Sequence, residues 1–310
     1  MNTSAQTTTV DSTSPQIGQS REPSRLSRWF RLLLQSKTGM LGFLIVVIIF
    51  MTAVFAPWLA PHDPAKQNVG SILVPPFWLE GGSLEYILGT DNLGRDILSR
   101  IIYGSQVSLL VGIFSVVVAG AIGLAVGLAS GYYGGWVDNV LMRLVDSFLA
   151  IPTILFSLVI LKVANSSGLM TLIIVLGVTN WVAYARVIRS EVLSLKERDF
   201  VRAAKSIGVR DWKIMWVHLL PNVYSTFIVI STLSVATTIL AEASLSFLGL
   251  GIQPPAVSWG GMLSTGRDYL ADNWGLATFP GMAITITTLG VILLGDWLQD
   301  VLDPRSQIEQ

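Results

Sequence analysis

Few side chains in this 310-residue chain are of a type that does chemistry, and they are widely spaced. There are two histidines, His62 and His218, and no cysteine. That leaves no thiolate ligand, no Cys nucleophile and no disulfide. No Gly-Lys dipeptide occurs, so a phosphate-cradling loop is missing, and neither GxSxG nor HExxH is present. Neither a cofactor site, nor a metal cluster, nor His-based catalysis is expected. Three carboxylates, Asp146, Glu242 and Asp296, fall within or beside apolar runs, where an ionisable group is costly and marks function by default. A proton relay needs all three along one path. Asp146 and Asp296 fall near one membrane face and Glu242 near the other, which favours terminal anchoring or subunit contacts. Asp146 follows Arg143 at i,i+3, a spacing at which the two neutralise each other.

Two polar stretches stand out beside these single groups. GTDNLGRD (89–96) precedes a long apolar run. Asp91 and Asp96 are expected to cap a helix start there, with Asp96 and Arg100 paired at i,i+4. The second is DFVRAAKSIGVRDWKIMWVHLLPN (199–222), part of a segment, 186–213, that gathers eight of the 20 Lys and Arg. Phe200, Ala203, Ala204 and Ile207 recur at helical spacing, with Arg198, Arg202 and Lys205 on other faces. Gly208 stops that helix, and Pro221-Asn222 mark the junction with the next apolar run. Such a helix lies on lipid, packs on its own protein, or enters a groove on a partner.

The elements that must position these stretches are membrane spans. Hydrophobic residues make up 52% of the chain, charged residues 13%, and mean hydropathy is +0.61, against about 25% charge in soluble domains. Zero net charge points to neither nucleic acid nor an acidic substrate. Residues 1–27 read as a disordered tail and 28–310 as one all-α polytopic domain with six spans, near 39–60, 104–130, 140–163, 169–188, 219–242 and 279–298. Segment 243–266, with Pro254 and Pro255, is a loop folded on the protein, with a short helix. Fifteen basic residues then fall on the side of the N-terminus and five on the other. The bias places both termini in the cytoplasm and makes 189–217 the main cytoplasmic loop. In the second span Ala119, Gly123, Gly127, Gly131 and Gly135 recur every fourth residue. This small-residue ridge lets another helix approach closely. Gly123 and Gly127 are its central positions.

Segment 199–222 resembles the coupling motif of ABC-importer permeases: Glu-Ala-Ala, three residues, Gly, nine residues, Ile, one residue, Leu-Pro. Ala203, Ala204, Gly208, Leu220 and Pro221 fall on that pattern; Arg202 replaces its Glu and His218 its Ile. LGTDNLGRDILSRIIYGSQVSLLVG (88–112), EASLSFLGLGIQPPAVSWGGML (242–263) and FPGMAITITTLGVILLGDWLQDVLDPR (279–305) are similar to the C-type subunit of dipeptide/oligopeptide permeases. The resemblance implies a type I importer bundle in a bacterial or archaeal plasma membrane. It implies a second permease, two ATPase subunits beneath, and an external solute-binding protein as partners. Arg202, Ala203, Ala204, Gly208, Leu220 and Pro221 would form the ATPase-coupling loop. Gly89, Thr90, Asp91, Gly94, Arg95 and Asp96 would face the binding protein or the pathway mouth.

Overall fold

The computed structural model describes residues 31–165 and 168–302. The predicted tail 1–27 and Arg305 lie outside them. Among the described residues the regular structure is helical; pairing of extended backbone is limited to one isolated bridge, Thr90 with Asp96.

Helices α1 (Lys37–Val54) and α2 (Ala56–Leu59) correspond to the first predicted span. Ser36 caps α1, its hydroxyl accepting from the Gly39 amide at 3.1 Å. Helix α3 (Ile97–Tyr133) has 37 residues, about 55 Å at 1.5 Å each, so it projects beyond a hydrocarbon core of roughly 30 Å. After α4 (Gly135–Leu149) and α5 (Thr153–Ala164) comes α6 (Leu169–Leu195), longer by two turns than its apolar run. The loop that follows holds α7 (Asp199–Ser206), a turn α8 (Asp211–Lys213) and a π-helical segment, Ile214–Leu219. Helix α9 (Leu220–Phe247), α10 (Trp259–Arg267) and α11 (Gly275–Leu302) complete the chain.

The glycine ridge finds its partner inside the same chain. A methyl group added at Gly123 would strike Tyr184 and the Trp181 carbonyl, at Gly127 the Ala185 carbonyl and Ile188, and at Gly131 Val192 and the Arg189 carbonyl. Gly177 of α6 returns the contact against Val118. The ridge ends at Gly131; Gly134 and Gly135, at φ 66° and 51°, form the turn into α4. The paired numbers rise together, so α3 and α6 run parallel. Contacts of Gly39 with Trp297 and of Gly42 with Leu293 set α1 antiparallel to α11. Gly112 against Ile239 and Gly120 against Phe227 set α9 antiparallel to α3. Since α3 and α6 are parallel, residues 134–168 must cross back between them. Among the described residues these directions give six crossings, with the bent pair α4–α5 counted as one. Residues 196–219 share one side with the start of α1, here the loop side; 60–96 and 248–274 share the far side.

The third crossing is not the continuous span expected at 140–163. It breaks at Ile151–Pro152, and α4 and α5 meet at 86°. Pro152 has no amide proton to donate, and its ring disfavours helical backbone at Ile151. Phe148 holds the two halves, with T-shaped ring contacts at 5.4 Å to both Phe156 and Trp181. Segment 243–266 does contain a short helix, α10, but α9 runs on to Phe247, so the fifth span extends beyond its predicted end at 242.

Enlarging the ridge therefore attacks the fold. Gly123→Leu would force a side chain into backbone and should cost about 1–3 kcal/mol or more of stability. Detergent unfolding of the purified chain should show it. Gly135→Ala, with open space around it, should show only the smaller cost of its positive φ, about 1–2 kcal/mol.

Candidate functional site

On the loop side α7 presents two apolar faces. Val201 and Ala204 turn inward, into a buried cluster with Leu128, Tyr132, Ile188, Val192, Ile214 and Leu219. Phe200 and Ile207, exposed by 38% and 80%, turn outward with Ala203. Predicted neighbours in the motif thus divide: Ala204 belongs to the bundle and Ala203 to the outer surface. Gly208, at φ 78°, closes the helix in a Schellman turn, with Val209 N bonded to Ala204 O at 3.1 Å and Gly208 N to Lys205 O at 3.0 Å. A methyl group there meets nothing, so its glycine serves the backbone angle. Arg202, also outward, bonds Glu197 at 2.8 Å and holds that carboxylate below the usual range. Arg198, Lys205, Arg210 and Lys213 are also exposed in this segment, as are Trp212 and Trp216, each by 57%.

Leu220 and Pro221 begin α9. Pro221 cannot donate into the ladder, and the backbone here takes i−5 bonds, Leu220 N reaching Met215 O. The Asn222 side-chain amide donates to the His218 carbonyl at 2.6 Å. The join between loop and span, marked in the sequence by Pro221-Asn222, is thus a π segment.

On the far side GTDNLGRD folds inward. Thr90, Asp91 and Asp96 are buried, and Gly89 and Gly94 adopt φ of 83° and 73°. Asp96 caps α3 as expected, its Oδ2 accepting from the Ser99 amide at 2.9 Å and hydroxyl at 2.5 Å. The expected Asp96–Arg100 pair does not form. Arg100 instead lies 3.6 Å from Asp91, which also takes Arg95 at 2.7 Å. Asp91 caps no helix: its Oδ1 accepts from the amides of Leu93 and Arg95 and closes the turn. His62 stacks on Tyr86, with Nδ1 3.5 Å from Asp96. Thr90 binds the strap 69–74, donating to the Ser71 carbonyl at 2.5 Å and accepting from Val74 N at 2.9 Å. Trp259 of α10 lies against Gly104 and donates to the Ile101 carbonyl at 2.9 Å. This is a buried knot that fixes the far end of α3; Leu93, 38% exposed, is its outward-facing side chain.

Two of the three carboxylates of the apolar runs find partners that spacing did not show. Asp146 pairs with Arg186 at 2.6 Å, forty residues away, and not with Arg143. Glu242 is fully buried and accepts from Ser246 at 2.7 Å; Ser246 in turn meets Ser258. Full burial within this chain removes it from any subunit contact. No group of three or more His, Asp or Glu able to hold a metal exists among the described residues.

Residues 121–308 match the family described as binding-protein-dependent transport system inner membrane component. Residues 24–76 match the N-terminal transmembrane domain of oligopeptide transport permease C. The chain belongs to this family of binding-protein-dependent permeases. It is 40% identical over 283 residues to the di/tripeptide transport system permease protein DppC of Pseudomonas aeruginosa, covering 91% of this chain and 93% of that one. Identity to the dipeptide transport system permease protein DppC of Haemophilus influenzae is 40% over 278 residues, 89% and 93% of the two chains. To the glutathione transport system permease protein GsiD of Escherichia coli it is 39% over 281 residues, 89% of each. The permease is thus a multi-pass membrane protein of a transport family, and that family is not an enzyme family.

If the far-side knot holds α3 in place, its charges are structural. Asp91→Ala leaves Arg95 and Arg100 without their shared carboxylate and should cost about 3–5 kcal/mol. Leu93→Ser should leave stability unchanged. Thermal unfolding of the two variants in detergent compares them directly.

Proposed function

We propose that this permease is the membrane-spanning subunit of an ATP-driven importer for di- and oligopeptides. It pairs with a second related permease and takes solute from an external binding protein. Two ATPase subunits bind its loop side and carry the hydrolysis; this chain hydrolyses nothing. The loop side is cytoplasmic, because the described basic residues concentrate there. Both termini then lie in the cytoplasm.

One observation carries the reading: Phe200, Ala203 and Ile207 form an exposed apolar strip on a helix whose other face is fully packed. An exposed apolar strip in a segment rich in basic side chains, at the loop side of a membrane protein, supports the reading as a docking surface. An acidic-rimmed groove on an ATPase complements it, and Arg202 then supplies charge where related motifs carry Glu. Relatives named for dipeptide, tripeptide and glutathione transport support short peptides as cargo. Nickel chelates or another small solute are the alternative cargo for the same machinery. An ion-coupled secondary transporter, the reading from another class, needs carboxylates along one path. Here Asp146 pairs with Arg186, Asp296 precedes the Trp297 that packs on Gly39, and Glu242 lies near the other side.

Purification of the tagged permease in mild detergent from its native host, with mass spectrometry, should recover a second permease and ATPase subunits. Ile207→Glu should insert normally yet weaken ATPase retention by roughly tenfold or more, the loss expected for one seated apolar anchor. Uptake of a labelled dipeptide should fall with it. A permease recovered alone and still transporting contradicts the proposal.

A further inference from the structure

Beside the apolar cluster that holds Val201 and Ala204, the coupling loop is tied to its own bundle by a polar contact to one side chain. Tyr132 lies in the last turn of α3 and is 5% exposed. Its hydroxyl donates to Asp211 Oδ1 at 2.5 Å, across 79 residues of sequence. Lys205 of α7 places its ammonium 4.9 Å from the centroid of the same ring. The ring belongs to the cluster that buries Val201 and Ala204 of α7 together with Ile188 and Val192 of α6. The surroundings brace it. Asp138 of α4 accepts both guanidinium nitrogens of Arg189, at 2.5 and 2.6 Å, and the hydroxyl of Ser130. Lys196 donates to the Gly131 carbonyl at 3.2 Å. One side chain therefore touches both halves of the loop, α7 and α8, while its own helix grips α6.

Two covalent routes lead from the loop to the membrane, the short join 196–198 into α6 and the longer one into α9; the second departs from regular helix. It passes through the π segment Ile214–Leu219 and then Pro221, where regular i−4 bonding is interrupted. A push on α7 meets the α3 terminus through the buried ring beneath Lys205, and α8 is tied to the same side chain by a charge-assisted hydrogen bond.

We propose that Tyr132 is the positioning residue that makes the coupling helix and α3 move as one body, so that displacement of α7 reaches the spans through α3 and α6 and not through the chain continuity into α9. This rests on the docking of α7 to an ATPase. Helix α3 is held by α6 through the glycine ridge and by the knot at its far end. A shift at Tyr132 is accordingly passed on as rigid-body motion of the α3–α6 pair.

Tyr132→Phe removes the hydroxyl and keeps the ring, so the core stays filled. In the isolated full chain, hydrogen exchange of amides 199–213 should rise about tenfold, the factor for one charge-assisted hydrogen bond. Exchange in α6 should not change. In the reconstituted complex with its partners, alanyl-alanine moved per ATP hydrolysed should fall by about the same factor. Assembly and basal hydrolysis should be kept. A purely structural role would lower assembly, hydrolysis and transport together. Combining Tyr132→Phe with Asp211→Ala should add little to either alone, because both remove the same bond. Unchanged exchange, an unchanged transport-to-hydrolysis ratio, or simple additivity of the two substitutions would each overturn the proposal. The exchange measurement needs no ATPase, so its outcome separates failure of the clamp from failure of the docking reading.

Discussion

Everything in this permease depends on how closely α3 and α6 approach. They run in the same direction, and Gly123, Gly127 and Gly131 remove the side chains that would hold them apart. In lipid there is no hydrophobic drive between helices, so association comes from close packing of this kind. Two consequences follow from the shared direction. The chain must cross the membrane once more between them, which makes the broken pair α4–α5 a span. The loop-side ends of α3 and α6 also come to lie side by side, and this gives α7 a platform. Glycine costs about 1 kcal/mol per helical position relative to alanine. The contact with Trp181, Tyr184, Ile188 and Val192 offsets that cost.

The platform explains how a short helix can be packed on one face and bare on the other. Eight residues are too few to be a stable helix alone in water. Val201 and Ala204 fasten α7 to the bundle, the Schellman turn at Gly208 ends it, and Phe200, Ala203 and Ile207 are left free to face outward. A motif with a small pair followed by a glycine thus has a physical meaning. One alanine lets the helix lie close on its own protein. The other keeps the outer surface low, and the glycine provides the positive φ that turns the chain back to the membrane.

Much of this was legible in the sequence. Apolar runs located the spans, the four-residue repeat located the ridge, and Gly208 located the end of α7. The misses are partners and bends that spacing along the chain does not show. Asp146 has a cation at i,i+3, and spacing alone cannot show that Arg186 comes nearer. Asp91 and Asp96 both read as caps, yet only the folded strap 69–74 shows that GTDNLGRD is buried and that Asp91 serves two arginines. Pro152 was visible, but proline is tolerated in membrane helices, so only the 86° bend reveals a break. The inward and outward alanines of α7 are adjacent in sequence and separate only when the platform is present.

The most direct test of the docking account uses a photo-cross-linking residue placed singly along α7 in the native complex. The account predicts that position 207 joins the permease to an ATPase subunit, and that position 201, buried against α3, gives only products within the permease. Cross-links from 207 confined to lipid or to the permease itself, with the complex intact and transporting, would contradict it.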